Sequence, residues 1–332
     1  MKFYFKRNFS ECIGNTPIIK LKVASELSGC EIYGKCEFLN PGGSVKDRPA
    51  LQIIKDAIKK KQIEKGGTVV EGTAGNTGIG LCLVGNSIGL NSIIVMPRTQ
   101  SNEKKKMLKL CGAELKLVDA LPYKNPGNYI RYSETLAKSI VNEHGVLWAN
   151  QFDNLSNKKS HYLTTGPEIY KQLSQKVDAF ICSIGTGGTI SGVSDFLKEK
   201  NKNIVIGLAD PMGSAMHNFY KNGKLKSTGS SITEGIGQGR ITRNLENTVI
   251  DESFQITDTE ALNIVYEMVR KEGLILGGSS GVNIMGAVKL GKLIGPNKKI
   301  VTILCDYGTK YESKIFNKKF LKDKELPIPD WL

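Results

Sequence analysis

The chain has 332 residues, of which 40% are hydrophobic and 23% charged, and it carries a formal net charge of +14. That length buries a proper core, in one large unit or two closely joined ones. The composition excludes several classes: no stretch approaches the ~20 apolar residues of a membrane helix, no block of like charges or aromatic-studded basic stripe marks a nucleic-acid surface, and residues 1–10 have neither the apolar core nor the cleavage site of a secretory signal.

In chain order, residues 31–38 read as a strand, and the spacing of Ala50, Leu51, Ile53, Ile54, Ala57 and Ile58 predicts a helix. Residues 68–71 are a short strand, 78–88 a helix closed by Gly89, 92–96 an apolar strand ended by Pro97, 103–110 a helix closed by Gly112, and 114–118 a strand. A loop over 121–128 precedes a helix at 129–143. After a polar stretch at 151–160 a second series begins: strand 177–183, helix 189–198, strand 203–209, then an irregular region at 212–245. Helices at 260–271 and 282–293 flank a Gly-Ser turn, and 300–305 is a last strand. This alternation predicts an α/β protein of two lobes, each with a mainly parallel sheet flanked by helices. Ligands bind at the carboxyl ends of strands in such sheets, so the Gly-rich loops read as one site.

Cys12, Cys30, Cys36, Cys82, Cys111, Cys182 and Cys305 form no CxxC pair and mostly sit in or beside apolar runs. They read as free thiols in a reducing, cytoplasmic setting. Neither they nor His144, His161 and His217 show ligand spacing, so no metal is expected.

The strongest local signal is Gly185-Thr186-Gly187-Gly188-Thr189, between a buried strand and a helix. Glycines let a backbone wrap an anion, and free N–H groups plus the helix dipole favour phosphate; an ordinary tight turn is the alternative. The run has neither the Lys of a Walker A loop nor GxGxxG spacing. Residues 72–78 again link strand to helix, and offer N–H groups with the Thr73, Asn76 and Thr77 side chains to a carboxylate or phosphate, or simply cap a helix. In Asn40–Arg48, Lys46 follows a Gly-Gly turn at a helix start. The positive helix end disfavours an ammonium, which suits an amine that condenses with a carbonyl, although a lone Lys in a Lys-rich chain also reads as a solvated surface residue. Ser279, in Gly277–Gly281, faces a ligand or caps a helix.

Together and in order, the Ile13–Pro17 segment (I-G-N-T-P), Asn40–Arg48, Thr73–Gly78, Thr164–Glu168, Gly185–Thr189 and the Ser279 turn resemble the cysteine synthase and cystathionine β-synthase family of pyridoxal-phosphate enzymes along nearly the whole chain. The resemblance implies the type II fold of such enzymes, with two open, twisted sheets. It also implies a smaller, mobile subdomain at 42–150 with the substrate loop and a larger one from 1–41 plus 151–332 with the phosphate cup. The implied cofactor is pyridoxal 5′-phosphate. By the same resemblance, Lys46 is the Schiff-base lysine and moves the Cα proton. Gly185, Thr186, Gly187, Gly188 and Thr189 cup the phosphate, Asn76 meets the ring 3′-oxygen and Ser279 the pyridine nitrogen. Thr73, Ala74, Gly75, Asn76, Thr77 and Gln151 bind substrate. A neutral hydroxyl at Ser279 leaves the ring a weaker electron sink than a carboxylate would, which favours prompt loss of a β-substituent and thiol addition through an aminoacrylate intermediate. The implied reaction turns O-acetyl-L-serine and sulfide into L-cysteine and acetate. The alternative takes L-serine or L-cysteine as donor, in cystathionine synthesis or sulfide release. A homodimer and a serine acetyltransferase partner are further implications; nucleic acid and membrane are not.

The chain departs from the family pattern at Ala74, where cysteine synthases usually carry Ser, and at Glu234, where they usually carry Gln and cystathionine β-synthases Glu. Residues 121–131 look like an insertion, and Cys305-Asp306-Tyr307-Gly308 replaces a Pro-containing turn. These differences fall where donor and thiol would be chosen.

Overall fold

The computed structural model describes residues 5–332; Met1–Tyr4, part of the segment read as lacking a secretory signal, lie outside them. The elements run β1 (Ile18–Lys20), α1 (Lys22–Ser28), β2 (Glu31–Cys36), α2 (Asp47–Lys59), β3 (Thr68–Gly72), α3 (Asn76–Asn86), β4 (Asn91–Pro97), α4 (Asn102–Leu110), β5 (Glu114–Val118), α5 (Tyr129–Ser139) and β6 (Val146–Trp148). They continue with α6 (Ser156–Ser160), a π-helical turn at His161–Thr165, α7 (Gly166–Gln172), β7 (Ala179–Cys182), α8 (Gly188–Lys200), β8 (Val205–Pro211), α9 (Met216–Asn222) and β9 (Glu252–Ile256). The last are α10 (Asp258–Glu272), α11 (Gly278–Ile294), β10 (Lys299–Leu304) and α12 (Lys318–Asp323).

Two mainly parallel sheets result, as expected of a type II pyridoxal-phosphate fold. The six-stranded sheet has the order β1-β2-β10-β7-β8-β9, and the four-stranded sheet β5-β4-β3-β6. Among the described strand pairs only β1–β2 is antiparallel. The run Ile300-Val301-Thr302-Ile303-Leu304 is buried throughout, as a strand covered on both faces must be, and it pairs with β2 on one side and β7 on the other. Its two faces feed separate apolar layers. Ile300 and Leu304 pack with α10 and α11, while Val301 and Ile303 pack with α7 and α8. The smaller sheet has its own core of Ile53, Ile54, Val69 and Leu81.

Several elements differ from the sequence reading for local reasons. Gly277–Gly281 is no separate turn but enters the first turn of α11, where a side chain on Gly281 would overlap the Ala261 carbonyl of α10. Glycine serves close helix packing there. The polar stretch at 151–160 contains α6, and 212–245 contains α9. Among the described residues no helix is long and apolar enough to cross a membrane.

A buried ionic network fixes the start of α2. Arg48 Nε donates to Glu37 at 2.7 Å and its Nη1 to Glu168 at 2.7 Å, while Lys35 Nζ, with a fully buried side chain, donates to Glu168 at 2.6 Å. Burial opposes ionisation of Glu37, but the Arg48 charge and hydrogen bonds outweigh it and hold the carboxyl below its usual range. Arg48→Met strands the buried Glu37 carboxylate, leaves Glu168 with Lys35 alone, and is expected to destabilise the fold by about 3–5 kcal/mol. Urea unfolding measures this, and a midpoint equal to that of the unmodified protein would show that the network contributes nothing.

Candidate active site

Four helices begin around one cavity of about 570 Å³. Their first-turn or capping residues Lys46, Gly75, Thr186 to Gly187 and Ser279 belong to α2, α3, α8 and α11, and none of the four has a side-chain cap. Unsatisfied N–H groups and positive dipole ends therefore converge there.

The Gly185–Thr189 loop follows β7 and opens α8. Gly187 has φ of +85°, and its added Cβ would run into the Leu245 side chain. A Cβ on Gly188 would overlap the Asn157 amide, and one on Gly185 the Gly235 carbonyl. Asn157 Nδ2 donates to Thr186 Oγ1 at 2.8 Å, while its Oδ1 is buried without a partner. Thr189 Oγ1 lies 3.2 Å from His161 Nε2. The ring of His161 is held neutral, chiefly by burial.

Lys46 lines both the main cavity and the recess formed by Ser183, Gly185, Thr186, Gly187 and Thr189. Its neighbour Asp47 accepts the Gly42 N–H at 2.5 Å and leaves Oδ1 unpartnered; burial pushes its carboxyl up to about 7. Ser279 and Cys305 sit on the same wall, and burial pushes the Cys305 thiol up to about 11.

Thr73, Ala74, Gly75, Asn76 and Thr77 also line the cavity, with Gln151. Thr77 Oγ1 donates to Gln151 Oε1 at 2.5 Å, and Gln151 Nε2 to the Gly72 carbonyl at 3.3 Å, so the loop is tied to the segment after β6. Gly75 adopts φ of +133°, where a Cβ would overlap Lys104. Asn76 donates to Asp306 Oδ2 at 2.6 Å and accepts from Lys310 Nζ at 3.1 Å. The sequence reading missed Asp306 as an anchor, although its turn stood out as a departure.

Three further contacts among the lining residues escaped the sequence. Glu234 accepts from Lys104 and Lys314, and Arg240 stacks over Tyr123, of the 121–131 segment, at 4.6 Å. No local motif marks any of these five residues as a set.

The sequence pattern of the pyridoxal-phosphate dependent enzyme family matches residues 9–306. Cysteine synthase 1 of Neurospora crassa is 47% identical over 98% of this chain and 88% of its own length. Cysteine synthase 1 of Emericella nidulans is 46% identical over 97% of this chain and 88% of its own. Among solved structures, an O-acetylserine dependent cystathionine β-synthase from Helicobacter pylori matches with a TM-score of 0.85 at 32% identity, covering 94% of this chain and 99% of that one.

The residues present fit a phosphorylated pyridine aldehyde. The phosphate requires several N–H donors without Cβ atoms in the way, which the loop before α8 offers, and the aldehyde requires an amine in the same recess, which Lys46 offers.

Glu71, the residue before Gly72, is buried with Oε2 unpartnered, and burial pushes its carboxyl up from 4.5 to about 8. Its folded pKa is raised, so the stability it contributes is full below pH 4.5 and is lost as pH rises through about 8. Glu71→Gln is expected to remove from the stability profile, between pH 5 and 8, a slope of up to about 1.4 kcal/mol per pH unit. Urea midpoints across that range test it; equal slopes in both proteins would refute the assignment.

Proposed function

Since this chain belongs to the family of pyridoxal-phosphate dependent enzymes, we propose that it is a cysteine synthase, joining sulfide to the β-carbon of O-acetyl-L-serine and releasing acetate. The observation that carries the reading is 47% identity to a cysteine synthase over 98% of the chain. The cofactor, when bound, supplies the electron sink that lets a β-substituent leave and a nucleophile add.

The chain's own residues do the rest. Lys46 binds the cofactor and moves the proton at the substrate Cα. The N–H groups of Gly185, Thr186, Gly187, Gly188 and Thr189 hold the phosphate at the positive end of α8. Asn76, with one N–H on Asp306, keeps its second N–H for the ring 3′-oxygen. Ser279 presents a hydroxyl to the ring nitrogen. Thr73, Ala74, Gly75, Asn76, Thr77 and Gln151 bind the substrate; because Ala74 has no hydroxyl, backbone N–H groups at the start of α3 carry the carboxylate there. Residues 42–150 close as a smaller unit against 1–41 plus 151–332 and exclude water from the cavity. The active form is a cytoplasmic homodimer, with serine acetyltransferase as a partner.

A second reading, with L-serine or L-cysteine as donor, is favoured by the likeness to an enzyme named as a cystathionine β-synthase. Initial rates separate the two. O-acetyl-L-serine plus sulfide should give kcat/KM of at least ~10⁴ M⁻¹s⁻¹; a strong preference for L-serine plus homocysteine would overturn the first reading.

Lys46→Ala should lose turnover by roughly 10³-fold or more while the phosphate loop still retains cofactor, and undiminished turnover would refute the role of Lys46. Gly188→Ala forces a methyl into the Asn157 amide. It should weaken cofactor binding at least about tenfold, or ~1.4 kcal/mol, in equilibrium dialysis; unchanged affinity would remove the phosphate from this loop.

A further inference from the structure

Of the described residues lining the cavity, Glu234 is the only acidic one, against five basic ones, Lys46, Lys104, Arg240, Lys314 and Lys324. Arg240 is matched outside the cavity by Asp153, in a two-pronged pair at 3.0 and 2.8 Å. Lys46 is assigned above to the cofactor. Three lysines then stand against one carboxylate.

That carboxylate has little capacity left. Oε2 accepts from Lys104 Nζ at 2.7 Å, and Oε1 accepts from Lys314 Nζ at 2.5 Å and from the Ser101 N–H at 3.1 Å. The side chains of Glu234 and Lys104 are 6% and 2% exposed, and Lys104 Nζ lies 4.2 Å from the centre of the Tyr311 ring. A free carboxylate at this position would attract the ammonium of an amino-acid thiol. One shared by two ammonium groups does not, and the three side chains carry a net charge of +1. Screening is weak at a buried cluster, so the sign of that charge is felt across the cavity.

The bonds also join distant segments. Ser101 and Lys104 belong to the start of α4, beside the four-stranded sheet, whereas Glu234 and Lys314 belong to loops of the larger unit. Glu103 strengthens the join by accepting from the Ser313 N–H at 2.8 Å and its hydroxyl at 2.9 Å. The positive cluster therefore takes this form only when the two units meet, which is when a nucleophile would be held.

We propose that the Lys104–Glu234–Lys314 cluster selects the nucleophile by charge, admitting a small sulfur anion such as hydrosulfide and disfavouring a thiol that carries an ammonium. The inference rests on the β-replacement reading. In it, Glu234 works as the counter-ion that places two lysines, not as a receptor for an amino group.

Three thiols of similar size test this with the holoenzyme and O-acetyl-L-serine: mercaptoacetate, 2-mercaptoethanol and cysteamine, with negative, neutral and positive substituents. Rates are compared per thiolate. The expected order of kcat/KM is mercaptoacetate, then 2-mercaptoethanol, then cysteamine, spanning at least about tenfold. Lys314→Gln should shrink the mercaptoacetate-to-cysteamine ratio, Lys314→Arg should preserve it, and Glu234→Gln should widen it. Because each ratio is taken within one preparation, loss of folded protein cancels. A flat or inverted order in the unmodified enzyme, or ratios alike in Lys314→Gln and Lys314→Arg, would overturn the charge selection. Acetate release from O-acetyl-L-serine without thiol is measured alongside. If acetate is released and the order is flat, only the charge selection fails; if none is released, the reading of O-acetyl-L-serine as donor fails with it.

Discussion

The guanidinium of Arg48 holds this molecule together at its most consequential point. It lies two residues beyond Lys46 and binds Glu37, just after β2, and Glu168, in α7. One carboxylate follows a strand of the six-stranded sheet and the other stands on a helix, so one planar cation sets where α2 begins relative to both. Lys35 completes the balance from β2. A buried network of this kind contributes little net stability against an apolar core of equal volume, but it penalises every arrangement that separates its members. The amine at Lys46 inherits that fixed origin.

The cavity shows the same economy with helix ends. The starts of α2, α3, α8 and α11 all face it without side-chain caps, whereas α10, away from it, closes its own start with the reciprocal Thr257 and Glu260 bonds. Anion affinity thus comes from backbone already present in the fold. Three acids at or beside the cavity are prevented from opposing it. Burial favours the neutral forms of Asp47 and Glu71, and the Glu234 charge is taken up by lysines. These three acids therefore add little negative charge to a site that takes a phosphorylated cofactor.

How much of this was legible in the sequence depended on the range of the interaction. The strand at 114–118 and the glycine loops were readable because apolar spacing and backbone freedom are local properties. β1 was not, because three residues at a sheet edge carry no periodicity, and β9 was not, because Glu252-Ser253-Phe254-Gln255-Ile256 is a largely polar edge strand. The glycines at the start of α11 suggested a turn, yet they answer a packing demand set by α10. The Asp306 contact with Asn76 and the Glu234 contact with Lys104 join residues far apart in the chain, and no short pattern encodes either.

The central place of β10 has a consequence for how the protein is made. This strand follows every other strand of both sheets in the chain, yet it lies between β2 and β7 and joins the antiparallel β1–β2 pair to the rest of its sheet. Until it arrives, the β1–β2 pair has no neighbour on its inner edge, and the turn that brings Asp306 to Asn76 does not exist. A nascent chain can complete the four-stranded sheet and α2 early, but it cannot assemble the cavity. Competence to bind therefore waits for β10, and until that strand is made the exposed edges of β2 and β7 are open to wrong pairing.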